Sequence, residues 1–430
     1  MKILGIETSC DETGVCIIET ENDSVGSKIK ILGNQLYSQI AIHAQYGGVY
    51  PMMAKREHAL NLTPQLEKCL EEAGMKKDSR FMIRDSRKER IKEILAREND
   101  LSEDLIELIE KIEKPDIDAI AVTNGPGLEP ALWVGICFAK ALSEAWNIPI
   151  IPVNHMEGHV VVAMLQRECG ILNSECKETN IQHPTFNIQS PNYPVIALLI
   201  SGGHTQLVLS KENQKYEIIG STRDDAIGEA FDKVARILGL PYPGGPQISK
   251  LAEKDRLEHP HDSASGPRKS AFPLPRPMIH SHDLNFSFSG IKTAVLYTVQ
   301  KITLNSSSQK DESGEHFSEK NVLAKLTDSI KQEIAREFED AVVEVIIKKT
   351  QQAVEQYGAQ TIIIGGGVSA NKKIRSDFAK LAEDIHVELM IPEFSASTDN
   401  AFMIAVAGYL NILSGKKPET DFKANGNLSL

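Results

Sequence analysis

Long apolar runs are missing from this 430-residue chain. PVIALLI, Pro194 to Ile200, is typical of its longest stretches, well short of the ~18 residues a membrane-crossing helix needs. Cysteine is sparse. Six are present (Cys10, Cys16, Cys69, Cys137, Cys169 and Cys176), too few for a disulfide scaffold at this length. Five residues separate Cys10 from Cys16 and six separate Cys169 from Cys176, so no pair has zinc-knuckle spacing. They read as buried apolar residues carrying free thiols. An excess of positive charge is also absent: 47 Lys and Arg face 59 Asp and Glu, a net −12. That argues against a histone-type nucleic-acid binder and leaves a local basic patch open. After Met1 the strand-like KILGI follows with no basic, apolar, small-residue leader, so a cytoplasmic address and no membrane are expected.

What is there fits a globular protein. Hydrophobic residues make 41% and charged residues 25%, which excludes wholesale disorder. At roughly 150 residues per domain the length suggests two or three domains. Periodicity alternates between strand and helix. KILGIE (2 to 7), the polar turn TSCDET and GVCIIE (14 to 19) form a hairpin-like unit. The pattern recurs with VIALLI (195 to 200), SGGHT and QLVLS (206 to 210). Each hairpin is followed by helical segments and an isolated apolar strand, DAIAV (118 to 122) and TIIIG (361 to 365). The expectation is an α/β fold of two duplicated lobes around a cleft.

Some segments read as insertions. Residues 76 to 97 hold nine basic and four acidic groups; residues 98 to 116 hold two and eight. Apolar residues at helical spacing predict two short helices meeting near Asn99 and Asp100, their opposite charges side by side, with Asp100 and Glu103 as a capping box. A solvated surface excursion is the plainer reading, and a docking arm for RNA or protein the alternative. Residues 171 to 193 and 254 to 270 lack periodicity and read as loops, as does the polar NSSSQKDESGEH (305 to 316).

The sharpest chemical feature is NHMEGH, 154 to 159. On a helix His155 and His159 share one face, close enough for both to reach a metal at ~2.0–2.1 Å. By itself the pair leaves metal binding open. A zinc protease would carry Glu directly after the first His; Met156 stands there, and Glu157 lies roughly 200° around the helix from His155, facing away. Glycine-rich turns are the second feature. IIIGGGVSANKKIR (362 to 375) and LISGGHTQ (199 to 206) follow apolar strands, YPGGP (242 to 246) lets a ligand approach the backbone, and TNGPGLEPALWVG (123 to 135) enters a helix. Exposed N–H groups at such turns suit phosphate, so a nucleotide cleft is expected. Neither GxxxxGK[ST] nor a full GxGxxG in a βαβ setting occurs, which argues against a P-loop ATPase and a Rossmann dehydrogenase. Carboxylates come third: Asp11 and Glu12 in the first hairpin turn, Asp232 in GEAFDKVARILG and Asp399 in STDNAFMIA. Taken alone, Asp399 reads as a helix N-cap and Asp232 as a solvated face.

Together these stretches resemble one family. GIETSCDETGV from Gly5, QYGGVYPMMAKREH from Gln45, GPGL from Gly125, NHMEGH from Asn154 and SGGHTQL from Ser201 stand in its order. So do DDAIGEAFDKVARILGLPYPGGP from Asp224, NFSFSGIKTAV from Asn285, GGGVSAN from Gly365 and TDNAFMIA from Thr398. The chain is similar to the TsaD family of tRNA N6-adenosine threonylcarbamoyltransferases, formerly described as glycoprotein endopeptidases. The resemblance implies an actin-like fold of the kind found in Hsp70-type ATPases. Residues 1–150 would form the first lobe, with the insertion at 76–116. Residues 151–394 would form the second, with loops at about 171–193, 254–270 and 305–320, and 395–430 would return to the first.

The resemblance also implies the reaction. Threonylcarbamoyl-AMP gives its threonylcarbamoyl group to N6 of adenosine 37 in tRNAs reading codons that begin with A, and AMP leaves. His155, His159 and Asp399 would ligate one divalent metal per subunit, iron or zinc, with magnesium accompanying bound nucleotide. Leu199, Ile200, Ser201, Gly202 and Gly203 would line the adenylate, completed by Asp232, Gly245 and Asn371. Asp11 or Glu12 is the candidate proton acceptor, and no spacing argument chooses between them. Partners implied are tRNA together with either a paralogous protein and a small P-loop ATPase, or a second copy of the chain. Two other classes compete, a metal-dependent endopeptidase and an actin-like fold kinase. The first lacks its Glu, and the second has no need of His155 and His159.

Overall fold

The computed structural model describes residues 1–21, 28–78, 83–168, 183–259, 269–305 and 326–430. They form two compact units, Met1–Pro191 with Pro392–Leu430, and Asn192–Ile391. In the first unit, β1 (Lys2–Glu7), β2 (Glu12–Thr20) and β3 (Lys28–Ser38) make an antiparallel meander. Two parallel strands, β4 (Ala119–Gly125) and β5 (Ile150–Asn154), continue from β1 on its other side. At the β3 edge lie β6 (Leu165–Arg167) and β7 (Thr185–Ile188), giving the order β5-β4-β1-β2-β3-β7-β6.

The second unit repeats this plan. β8 (Val195–Ile200), β9 (Thr205–Glu212) and β10 (Lys215–Ser221) are antiparallel; β11 (Thr361–Gly365) and β12 (Glu388–Met390) extend from β8 in parallel. The order β10-β9-β8-β11-β12 matches the β3-β2-β1-β4-β5 core of the first sheet. The α/β class with two duplicated, actin-like halves is therefore the one observed.

Strand alternation decides which side chain meets which helix layer. Leu4, Ile6, Val15 and Ile17 point into one core. Over it lie α2 (Pro51–Glu72), which follows the short α1 (Ile40–His43), then α3 (Asp85–Ile94), α4 (Asn99–Lys111) and α5 (Glu129–Trp146). Ile3, Cys16 and Ile18 point the other way. The second unit carries α7 (Ile227–Ile237), α8 (Gly244–Glu258), α9 (Ser289–Asn305), α10 (Asp328–Tyr357) and α11 (Lys372–Asp384). Its core includes an edge-to-face pair, Phe231 and Phe338, with centroids 4.9 Å apart, worth about 0.5–1.5 kcal/mol beyond burial.

Several expectations change. Residues 151–191 pack with the first unit, because β5 hydrogen-bonds to β4 and β7 to β3. Part of the loop expected at 171–193 is strand β7, whose Phe186 and Ile188 alternate inward; 169–182 lie outside the described residues. Helix α8 runs to Glu258, into the loop expected from 254, while 260–268 lie outside the described residues, as do 306–325. The charged insertion forms the two helices expected, and Lys88 of α3 pairs with Glu110 of α4. Helix α4 already begins at Asn99 after an N-cap at Glu98, so Asp100 falls inside the first turn rather than at the cap. Ile91, Leu95, Leu101 and Leu105 are fully buried, so the insertion is part of the core rather than a detached excursion. No helix among the described residues is long and apolar enough to cross a membrane.

Candidate functional site

Two helix starts build the metal-binding group. α6 (His155–Ala163) begins where β5 ends, and the Asn154 side chain caps it, accepting from the N–H of Met156 (2.9 Å) and of Glu157 (3.4 Å). His155 is then the first helical residue and His159 lies one turn on, with ring centroids 4.7 Å apart and edge to face. α12 (Ala401–Leu413) is capped by Asn400, which accepts from Met403 N–H at 2.9 Å. Asp399, expected as a cap when taken alone, stands just before that cap and faces the histidines instead.

Glycines let α12 come this close. A Cβ on Gly5 would lie 2.3 Å from the Ala401 carbonyl oxygen, and one on Gly14 would lie 2.9 Å from the Ala401 nitrogen. Gly158 of α6 meets Met403 and Ile404 in the same way. Any side chain at Gly5 or Gly14 would push the start of α12, and Asp399 with it, off the sheet.

Asp399 Oδ1 lies 3.1 Å from His159 Nε2 and 3.4 Å from His155 Nε2. One ligand atom from each residue falls within 4.8 Å of the others, a group that could hold a metal ion. Tetrahedral ligands at ~2.0–2.2 Å from zinc sit about 3.4 Å from one another, and the two separations from Asp399 are close to this. Both histidines are buried, and Asp399 keeps one-fifth of its side chain exposed.

Behind His155 stands a residue that sequence reading missed. Glu7, the last residue of β1, is fully buried. Its Oε2 lies 3.2 Å from His155 Nδ1 and accepts from the Thr123 hydroxyl at 2.6 Å; its Oε1 accepts from the Ser9 N–H at 2.5 Å. The Ser9 hydroxyl is also 3.2 Å from His155 Nδ1. With Nδ1 held from behind, Nε2 is the nitrogen presented to a ligand. Burial alone would raise Glu7 and Asp399, but the neighbouring His155 and its hydrogen bonds bring both below the usual carboxylate range. Burial likewise works against charge on His155, and Asp399 and Glu7 override it and raise its proton affinity well above normal.

Asp11 and Glu12 lie at the β1–β2 turn. Asp11 is buried and its carbonyl accepts from Gln39 N–H at 3.0 Å. Glu12 is half-buried, and burial followed by the charges of Asp11 and Asp399 pushes its carboxyl well up. Beneath the same turn, His58 sits 3.0 Å from the Cys10 carbonyl and 2.7 Å from the Thr13 hydroxyl; burial lowers its pKa to about 4, so it is neutral. Glu157 accepts from Asn411 of α12 at 3.1 Å and faces away from the histidines, as its helical position predicted.

The second unit holds the remaining candidates. Leu199 and Ile200 end β8 with their side chains fully buried, so only their main chain can meet a ligand. Ser201 and His204 close the turn, with Gly202 and Gly203 exposed and open space where a Cβ would stand. Gly228, at the start of α7, packs on Ser201 and Gly202, and Gly366 (φ +90°) packs on the Ile200 carbonyl. Asp232 accepts from Gly244 N–H at 2.7 Å and so fixes the start of α8, where Gly245 has free space. Asn371 caps α11 through Ile374 N–H (2.9 Å), and its amide donates to Ser249 and Glu339, both at 2.7 Å. A chain of direct contacts thus links the β8–β9 turn, α7, α8 and Asn371.

The sequence model of the family described as TsaD, tRNA N6-adenosine threonylcarbamoyltransferase, matches residues 30–81, 100–173 and 177–406. The chain belongs to the TsaD family. A tRNA N6-adenosine threonylcarbamoyltransferase of Chromobacterium violaceum is 39% identical over 96% of this chain and 93% of its own length. One from Neisseria gonorrhoeae is 37% identical over 97% and 95%. Membership makes the chain a transferase of a family that acts on tRNA. Among solved structures, full-length HypF in its phosphate- and nucleotide-bound form aligns with 96% of this chain and 55% of its own at 12% identity and a TM-score of 0.47, too distant to carry an argument. The family model skips residues 82–99, which include α3.

Proposed function

We propose that this TsaD-family enzyme transfers the threonylcarbamoyl group of threonylcarbamoyl-AMP to N6 of adenosine 37 in tRNAs reading codons that begin with A, releasing AMP. The observation that carries the reading is the buried convergence of His155, His159 and Asp399 within a chain of this family. In our reading these three hold one divalent metal, iron or zinc. Two imidazoles and a carboxylate leave coordination positions open, and a cation bound there supplies Lewis-acid polarisation of a carbonyl oxygen.

The chain's own groups do the rest. Glu7 and Ser9 orient His155. The N–H groups of Gly202 and Gly203 hold phosphate charge as AMP departs, with magnesium accompanying the nucleotide. Leu199 and Ile200 contribute main chain to the adenylate site, and Asp232, Gly245 and Asn371 complete it by fixing the helix starts around it. The adenine N6 amine is conjugated and a poor nucleophile, so positioning supplies much of the acceleration. Asp11 or Glu12, the two carboxylates of the β1–β2 turn, is the candidate to accept the amine proton.

The reading places the enzyme in the cytoplasm. It works either with a paralogous protein and a small P-loop ATPase, or as a homodimer. A tRNA in which adenosine 37 is replaced by guanosine tests the acceptor. With threonylcarbamoyl-AMP supplied, the unmodified tRNA should release AMP and gain the group, and the substituted tRNA should do neither. Equal modification of both would overturn the assignment of the acceptor.

A further inference from the structure

A cavity of about 510 Å³ opens between α2 and the residues that join α3 to α4. Arg97 and Glu98, on its insertion side, fall in the stretch that the family model skips, so part of this wall is a feature outside the family's shared core. Met52 and Leu60 contribute apolar walls and are themselves substantially exposed. Lys55 and Glu98 satisfy each other at 2.7 Å. Arg56 and Arg97 remain, and among the described residues neither has a hydrogen-bond or ion-pair partner.

Several other cations of the segment are paired. Arg87 and Arg90 pair with Glu144, Lys88 with Glu110, and Lys92 with Glu89. Among the described residues of 76–97, Lys77 and Arg84 have no ion-pair partner either, but only Arg97 lines the same cavity as Arg56. Two guanidiniums beside one cavity present up to ten N–H donors in planar forks, the geometry that matches phosphate oxygens. A chain of net −12 that handles a polyanion needs such local sites, because phosphate contacts dominate affinity for nucleic acid.

We propose that the cavity between α2 and the α3–α4 junction is a docking site for the tRNA backbone, with Arg56 and Arg97 each taking a phosphate and the apolar walls receiving the sugar between them. The proposal rests on the reading of the chain as a tRNA-modifying enzyme and adds to it where part of the tRNA is held.

The test is equilibrium binding of unmodified tRNA to the full-length protein across a salt series, for wild type, Arg56→Ala, Arg97→Ala and the double variant. Both side chains are exposed, so the variants should fold, and an unchanged melting temperature checks this. The double variant should bind roughly tenfold more weakly, and the slope of log affinity against log salt should fall by about 0.7–0.9 for each phosphate no longer engaged. Arg97→Lys should keep most of the slope, since the charge remains. Unchanged affinity and slope in the double variant, with wild type still binding and modifying tRNA, would overturn the docking site and leave the function standing. The same result accompanied by loss of binding to a protein partner would assign the cavity to that partner, and equally overturn the proposal. Wild type that neither binds nor modifies tRNA would remove both readings.

Discussion

Glu7 Oε2 and His155 Nδ1 meet at 3.2 Å in a fully buried setting, although 148 residues separate them in the chain. The carboxylate ends β1, the imidazole begins α6, and the contact leaves His155 Nε2 turned toward Asp399. A metal-binding histidine needs its second nitrogen held in this way if the first is to point steadily at a cation.

Replacing Glu7 should therefore weaken metal binding without touching a ligand. Glu7→Gln keeps an acceptor oxygen for Thr123 or His155 and should lose about tenfold in metal affinity; Glu7→Ala should lose nearer a hundredfold. Competition titration against a chelator measures both. Wild-type affinity in the alanine variant would contradict the role given to Glu7.

Gly5 sets the distance between α12 and the sheet. Gly5→Ala places a methyl 2.3 Å from the Ala401 carbonyl and should cost about 1–3 kcal/mol of stability. Because Ala401 lies two residues past Asp399, metal affinity should fall as well. Denaturant unfolding and metal titration on the same protein report the two effects separately.

His58 makes stability depend on pH. Burial holds its folded pKa at about 4, against 6.5 for the free group. Between these values the unfolded chain binds the extra proton, so the contribution is fully present above pH 6.5 and is lost as the pH falls through 4. The span is about 3 kcal/mol. In His58→Asn the stability profile between pH 4 and 6.5 should flatten by that amount; an unaltered slope would show that His58 does not carry it.

Gly202 separates folding from donor binding. A Cβ there meets nothing within 4 Å, so Gly202→Val should leave the melting temperature within about 1 °C of wild type. If the turn lines the adenylate, the same variant should raise KM for threonylcarbamoyl-AMP by roughly tenfold or more, while metal content stays unchanged. A wild-type KM would take the turn out of the donor site.

Much of this was legible in the sequence. The two hairpins, KILGIE to GVCIIE and VIALLI to QLVLS, announced the repeated topology because strands buried on both faces leave apolar runs that polar turns punctuate. The spacing of His155 and His159 put both on one helical face, and the resemblance supplied Asp399. Glu7 was not legible. It sits in a strand, far from its partner in sequence, and only the close approach of the β1 end to the α6 start makes the pair. A carboxylate closing a wholly buried strand was the available signal. The boundary near 150 was misplaced for a similar reason, since hydrogen bonds from β5 to β4 and from β7 to β3 cannot be read from local periodicity.

The most direct test of the account is mass spectrometry of nucleosides from an unmodified tRNA that reads A-initial codons, after incubation with threonylcarbamoyl-AMP and either wild type or His159→Ala. Each assay is run with and without candidate protein partners, alongside metal analysis of both proteins. The account predicts threonylcarbamoyladenosine with metal-loaded wild type and none with a metal-depleted His159→Ala. A metal-free variant that still forms the product would contradict it, as would a wild type that forms none under any of these conditions.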